Sequence, residues 1–162
     1  MTKDVAARTS DFNPSSEGFD AATYESVARS ASLREVRLVN SAYSAKVMSF
    51  MALELGHGTE LKQSYAGTPS GHSFMSERGI AVGSYLWTAE VRAGRTKAMK
   101  LSTEYTVAYS GLKDAPEDYV ELYFKKLARF TTYPYFRAHF AMHVAASGLM
   151  LAPLPSLTDR VD

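Results

Sequence analysis

The chain contains no cysteine. Disulfides, thiolate catalysis and cysteine-ligated metals are therefore excluded, and the absence fits a reducing compartment. It also lacks an excess of charge. The formal net charge is +1 over 162 residues, so no global field argues for nucleic acid or an anionic membrane as a partner. No window approaches 18 uninterrupted apolar residues, so no membrane-spanning helix is expected. The opening "MTKDVAARTSDFNPSSEG" has no apolar run of the kind a secretory signal carries, and the expectation is a cytoplasmic protein.

What is present is aromatic and aliphatic. The sequence holds 10 Tyr, 8 Phe, 1 Trp and 7 Met, and 46% of its residues are hydrophobic. Residues 1–32 are polar and rich in small side chains, and read as a flexible arm. Within it Tyr24, Val27 and Ala28 share one helical face over residues 21–29. Residues 33–157 read as a single domain and 158–162 as a short tail. Residues 33–47 alternate imperfectly between apolar and polar, and residues 48–56 continue in extended style. Residues 56–79 are punctuated by glycine and proline and read as a long loop, although Leu61, Tyr65, Phe74 and Met75 lie inside it; such loops are often functional.

A strict period of two follows. Met99, Leu101, Tyr105, Val107 and Tyr109 fall on one face of a strand, with Lys100, Ser102, Glu104 and Thr106 on the other. The turn "AGRTK" joins this strand to "IAVGSYLWTAEVR" as a hairpin. After Gly111 the period becomes helical. Asp114 is placed as N-cap of a helix carrying Tyr119, Leu122, Tyr123, Leu127 and Phe130. A second helix is expected to open at Pro134 and stop at Gly148. Strands first and helices last predicts an α+β fold, an antiparallel sheet with helices on one face.

Chemical motifs are weak. His139 and His143 have metal-ligand spacing on a helix, but "HFAMH" lacks the adjacent glutamate of a zincin and no third ligand is spaced nearby; no metal or cofactor is expected. "TPSGHS" is not a nucleophile elbow. Arg92, Arg95, Lys97 and Lys100 crowd one hairpin turn, where a solvated turn is the plainer reading than a phosphate grip. Tyr85, Trp87, Tyr105 and Tyr109 could stack on bases, but without a basic excess they read as packing residues. Leu149, Met150, Leu151, Leu154 and Leu157 would be costly to leave in water, since each fully buried leucine is worth about 2 kcal/mol.

The segment "YPYFRAHFAMHVAASGLMLAPLPSL" resembles the C-terminal half of SecB-type chaperones, through Tyr133-Pro134-Tyr135, Arg137, Gly148 and the Pro153-Leu154 step. The preceding "LARF" with "YPY" is most similar to the SecB-like chaperones attached to toxin–antitoxin systems. The resemblance implies a four-stranded antiparallel sheet, with a long crossover between early strands, followed by C-terminal helices. It implies a non-enzymatic, ATP-independent holdase, assembled as a homotetrameric dimer of dimers. The partners it implies are unfolded or precursor polypeptides, with an antitoxin or the translocation ATPase as further ones; nucleic acid and membrane insertion are not among them. Family members of the export type dock that ATPase through acidic surfaces, and this chain is near neutral. The residues assigned to a client-binding groove are Leu61, Tyr65, Phe74, Met75, Phe136, Phe140, Met142, Leu149, Leu151 and Leu154. Two other readings compete: a chaperone dedicated to one partner, and a small ligand-binding or enzymatic α+β domain using His57 and His72.

Overall fold

The computed structural model describes residues 18–46 and 60–157. The first half of the proposed arm, residues 48–56, His57 and the tail 158–162 lie outside the described residues. Helix α1 spans Ala21–Ser30. Strands β1 (Ser32–Ala45), β2 (Leu61–Met75), β3 (Ile80–Ala93) and β4 (Thr96–Ser110) follow, and helix α2 (Glu117–Ala146) closes the order. The strands form one antiparallel sheet in the order β1-β4-β3-β2.

The central hairpin forms for the reason its pattern gives. Odd-numbered residues of β3 and β4 from Ala81 to Val91 and from Met99 to Tyr109 are buried, and the residues between them are not. Period two thus turns one face of the sheet onto α2. The hairpin closes through Gly94, whose φ of 58° suits a residue without a side chain. The sequence expectation of a half-buried hairpin here is met.

Residues 61–75 are not a loop. They form the edge strand β2, paired along its length with β3. Gly67, Pro69 and Gly71 hid it from a pattern search. An edge strand tolerates proline, because an amide on its free side has no ladder partner to lose. A register shift between Pro69 and Gly71 absorbs the irregularity. Gly67 is required by packing: a Cβ there would come within 2.6 Å of the Trp87 ring.

Nor do two helices end the domain. Helix α2 runs unbroken for 30 residues with Pro134 inside it. The proline removes the amide that would reach the Phe130 carbonyl, but the apolar stripe continues across it. Tyr123, Phe124, Ala128, Thr132, Tyr133, Phe136, Phe140 and Val144 are all buried, and that continuous burial favours one helix over a break. The helix begins at Pro116, with no side-chain cap. Asp114 instead takes a left-handed conformation, φ 59°, in the preceding turn. Glu117 and Asp118 in the first turn complement the helix dipole. Gly148, φ 67°, ends the helix as its spacing predicts.

Helix α1 is capped by Asp20, which accepts from the amides of Ala22 and Thr23. It packs on α2 through Val27, while the Asp20 amide donates to the Tyr119 hydroxyl at 2.9 Å. The core therefore lies between the sheet and α2. Trp87 is its centre, stacked on Phe136 at 5.1 Å with ring planes 10° apart. Its indole N–H donates to Thr132 Oγ1 at 2.8 Å, so the buried polar group is satisfied.

Candidate functional site

Three regions of this fold carry the residues singled out by sequence. The first lies where β2, the C-terminal half of α2 and the segment after the helix converge. Phe136, Phe140, Leu149 and Leu154 are buried here, and Leu61, Tyr65 and Leu151 are half-buried against the same core. Tyr65 reaches the rings of Tyr133 and Phe136 at 5.7 and 6.4 Å. An open apolar notch of about 500 Å³ adjoins them, lined among others by Phe140, Val144, Leu149, Met150 and Pro153. Met150, at its lip, is 83% exposed.

Residues 151–157 cross this region as a strap without regular secondary structure. Side chains of the body hold it by its carbonyls. Arg137 Nε donates to the Leu154 oxygen at 2.7 Å, and Gln63 Nε2 to the Ala152 oxygen at 3.2 Å. The Tyr133 hydroxyl donates to the Pro155 oxygen. Burial, followed by the neighbouring Tyr65, pushes the Tyr133 phenol well above its ordinary range, so it is a donor at any physiological pH. Arg137, one of the residues that carry the resemblance, thus pairs with the strap backbone.

The second region is the outer side of α2 facing the edge strand β1. Val36, Leu38, Tyr105, Tyr135, Ala138, His139 and Met142 line an apolar concavity of about 330 Å³. Leu38, Tyr43, Tyr135 and Met142 are exposed, as are Leu33 and Val39 elsewhere on β1. Two histidines tie β1 to the helix here. Tyr43 stacks on His143 at 4.4 Å, and Ser41 Oγ lies 3.3 Å from His139 Nε2. The two imidazoles are 4.7 Å apart. Burial, then the proximity of His139, lowers the His143 pKa, which favours its neutral imidazole near pH 7. Among the described residues no three potential ligands gather for a metal ion.

The third set is scattered. Phe74 sits at the far end of β2, packed on the core, while Met75 beside it is exposed on the opposite face of the sheet. The ten residues assigned to one groove therefore occupy three places. His72 is tucked against Phe124 at 5.4 Å with its Nε2 unpaired, so no hydrogen-bonded catalytic pair forms around it among the described residues. Ser70 donates to Glu104 at 2.9 Å. Arg92 and Lys97 both pair with Glu90, which spends the hairpin's charge locally. Tyr85, Trp87, Tyr105 and Tyr109 are buried under α2 and present no platform for bases.

Sequence reasoning missed Gln63, Tyr133, Tyr135 and Met150 as surface-forming or strap-holding residues. It also missed β1 as an apolar edge. By strict alternation Leu33 and Val39 would face away from Val36 and Leu38; the slip between Leu33 and Glu35 instead sets Leu33, Val36 and Leu38 opposite Tyr109, Val107 and Tyr105 on one face.

Four strands in this order with a long C-terminal helix packed across one face define a SecB-like chaperone fold. A structure search supports this: a SecB-like chaperone of Mycobacterium tuberculosis, solved in complex with a ChAD peptide from the HigA1 antitoxin, superposes with a TM-score of 0.68 at 16% sequence identity, over 86% of this chain and 99% of that one. A protein of unknown function from Streptococcus agalactiae aligns over 79% of this chain and 96% of its own at 11% identity, with a TM-score of 0.29 that carries no argument. No family model and no curated protein matches the sequence. The fold expected from the resemblance of residues 133–157 is thus found over most of the chain. No described helix is long and apolar enough to cross a membrane.

Proposed function

We propose that this protein is an ATP-independent holdase that binds unfolded or incompletely folded polypeptides on apolar surface. The observation that carries the reading is apolar surface left over after the core of a SecB-like fold is complete. Trp87, Phe124, Phe136 and Phe140 are sealed, yet the strap notch and the concavity beside β1 remain open. Met150 stands at the lip of the strap notch, and a flexible thioether adapts to clients of varied shape. Many weak contacts over an extended client give avidity without sequence specificity. The active groove residues in this reading are Met150, Leu61, Tyr65 and Leu151, while Phe136, Phe140, Leu149 and Leu154 support them from beneath.

The concavity between β1 and α2 is also the surface on which we place contact between subunits, and the homotetramer belongs to this proposal. A strand paired on one side only among the described residues, with exposed Leu33, Leu38, Val39 and Tyr43, is an aggregation liability unless another chain covers it. Within the holdase reading, a dedicated antitoxin client is favoured over general export. The M. tuberculosis neighbour was solved with an antitoxin peptide, and among the described residues the outer sheet face offers few carboxylates free of a cation for a translocation ATPase. Glu35 on that face pairs with Arg37, and Glu90 with Arg92 and Lys97. A cytoplasmic, non-enzymatic role completes the proposal.

The test is suppression of aggregation. Purified protein, at one tetramer per client, is expected to keep a chemically denatured client soluble on dilution, with a native mass near four chains. A monomer with no effect on aggregation would defeat the reading. Co-purification of one stable partner rather than many separates the dedicated chaperone from the generalist.

A further inference from the structure

The strap is bound as a polypeptide chain would be. It has no ladder pairing, it inserts Leu154 to 1% exposure, and three side chains hold it through backbone carbonyls rather than through its own side chains. Carbonyl recognition reads any sequence, because every residue carries one.

The fit has one defect. Gln63 Nε2 holds the Ala152 carbonyl, while Gln63 Oε1 is buried with no partner. A buried acceptor left unpaired is a standing cost.

We propose that the strap is an internal stand-in for client, and that Gln63, Tyr133 and Arg137 form a carbonyl-reading row which an unfolded polypeptide takes over when the strap lifts. The proposal rests on the holdase reading and deepens it. It reassigns Leu154 from groove wall to groove occupant. The partner it fits is an extended, apolar stretch with a leucine-like side chain for the Leu154 pocket. Pro153 and Pro155 keep the strap extended, so it docks in the shape an unfolded chain would take. Clients then compete with a tethered ligand, and apparent affinity is lowered by the fraction of chains whose strap is closed.

Two measurements test this with the full chain and reduced, carboxymethylated α-lactalbumin as a permanently unfolded client. In hydrogen exchange of the natural protein, amides within residues 149–157 should exchange faster in the client complex than in the free protein, while those of the middle of α2 do not change. In a binding titration, Leu154→Ala should tighten client affinity by about tenfold, because it weakens only the competitor. Circular dichroism checks that the variant folds, and the exchange result decides alone if it does not. Client binding with unchanged or slower strap exchange overturns the strap inference and leaves the holdase reading intact, as does weaker binding by a folded Leu154→Ala protein. Absence of client binding to the natural protein overturns both.

Discussion

Replacing Phe136 by alanine separates a core residue from a client contact. The ring is 0% exposed and stacked on Trp87, with Tyr65, Tyr133 and Phe140 at 6.4, 6.1 and 6.3 Å. Returning a buried phenyl group to water costs about 2 kcal/mol. The cavity it leaves adds a comparable amount, because a wall of four aromatic rings fixed on a strand pair and a helix collapses poorly. The expected loss is about 4 kcal/mol, within the range for such substitutions. At about 2–4 °C per kcal/mol for a domain of this size, the melting temperature should drop by roughly 10 °C. The assay is urea unfolding followed by circular dichroism at one fixed protein concentration, since subunit association shifts apparent stability. Met150→Ala is the control: its side chain is 83% exposed, and its unfolding free energy should change by less than about 0.5 kcal/mol. A Phe136→Ala protein that loses under about 1 kcal/mol while losing client binding would refute the reasoning and return Phe136 to the groove surface.

Two further outcomes follow from local geometry. Gly83→Ala should destabilise the protein by about 2 kcal/mol or more, because the new Cβ would lie 2.4 Å from both the Gly71 carbonyl oxygen and the Phe124 ring; a thermal melt matching the parent would show that β2 and α2 have room to shift. The lowered pKa of His143 makes stability pH-dependent. Between its folded pKa and the unfolded value near 6.5 the unfolded chain binds more protons, so stability is fully present above about pH 6.5 and falls as pH drops below it. Melting temperatures at pH 7.5 and 5.5 should differ less in His143→Gln than in the parent, and an equal difference in both would remove His143 as the cause.

The parts of the fold legible from sequence are those where one rule decides. The hairpin of β3 and β4 is buried on one face and half-open on the other, so hydrophobicity repeats at the pitch of the pleat. Gly148 was legible because a helix stop needs a left-handed residue. Strand β2 was hidden because its edge position relaxes the very rules used to find strands: it accommodates Pro69, a register shift and a glycine demanded by Trp87. Pro134 misled for the converse reason. A local rule predicted a break, but burial of Tyr133 and Phe136 on the same sheet as Phe124 makes continuity the lower-energy outcome. The site was legible only as composition. Periodicity showed that α2 and its exit carry more apolar side chains than one stripe can use, and could not say which of Phe136, Tyr135 and Met142 faced the sheet.

That distribution bears on how the molecule works. Along α2 the buried series Val120, Phe124, Ala128, Thr132, Phe136, Phe140 and Val144 advances by fours and is consumed by the sheet. Tyr135 and Met142 lie off this stripe and line the concavity with β1. One helix therefore serves two neighbours: its own sheet on one side, and on the other whatever covers β1. The exit of the helix serves a third, the strap and its notch. If subunits associate over the β1 side, as proposed above, the strap side stays open on every subunit, and the assembly multiplies copies of one peptide-holding surface without occluding it. Multivalent binding of a long unfolded chain requires that separation of the two surfaces. A helix with a single apolar stripe could not provide it.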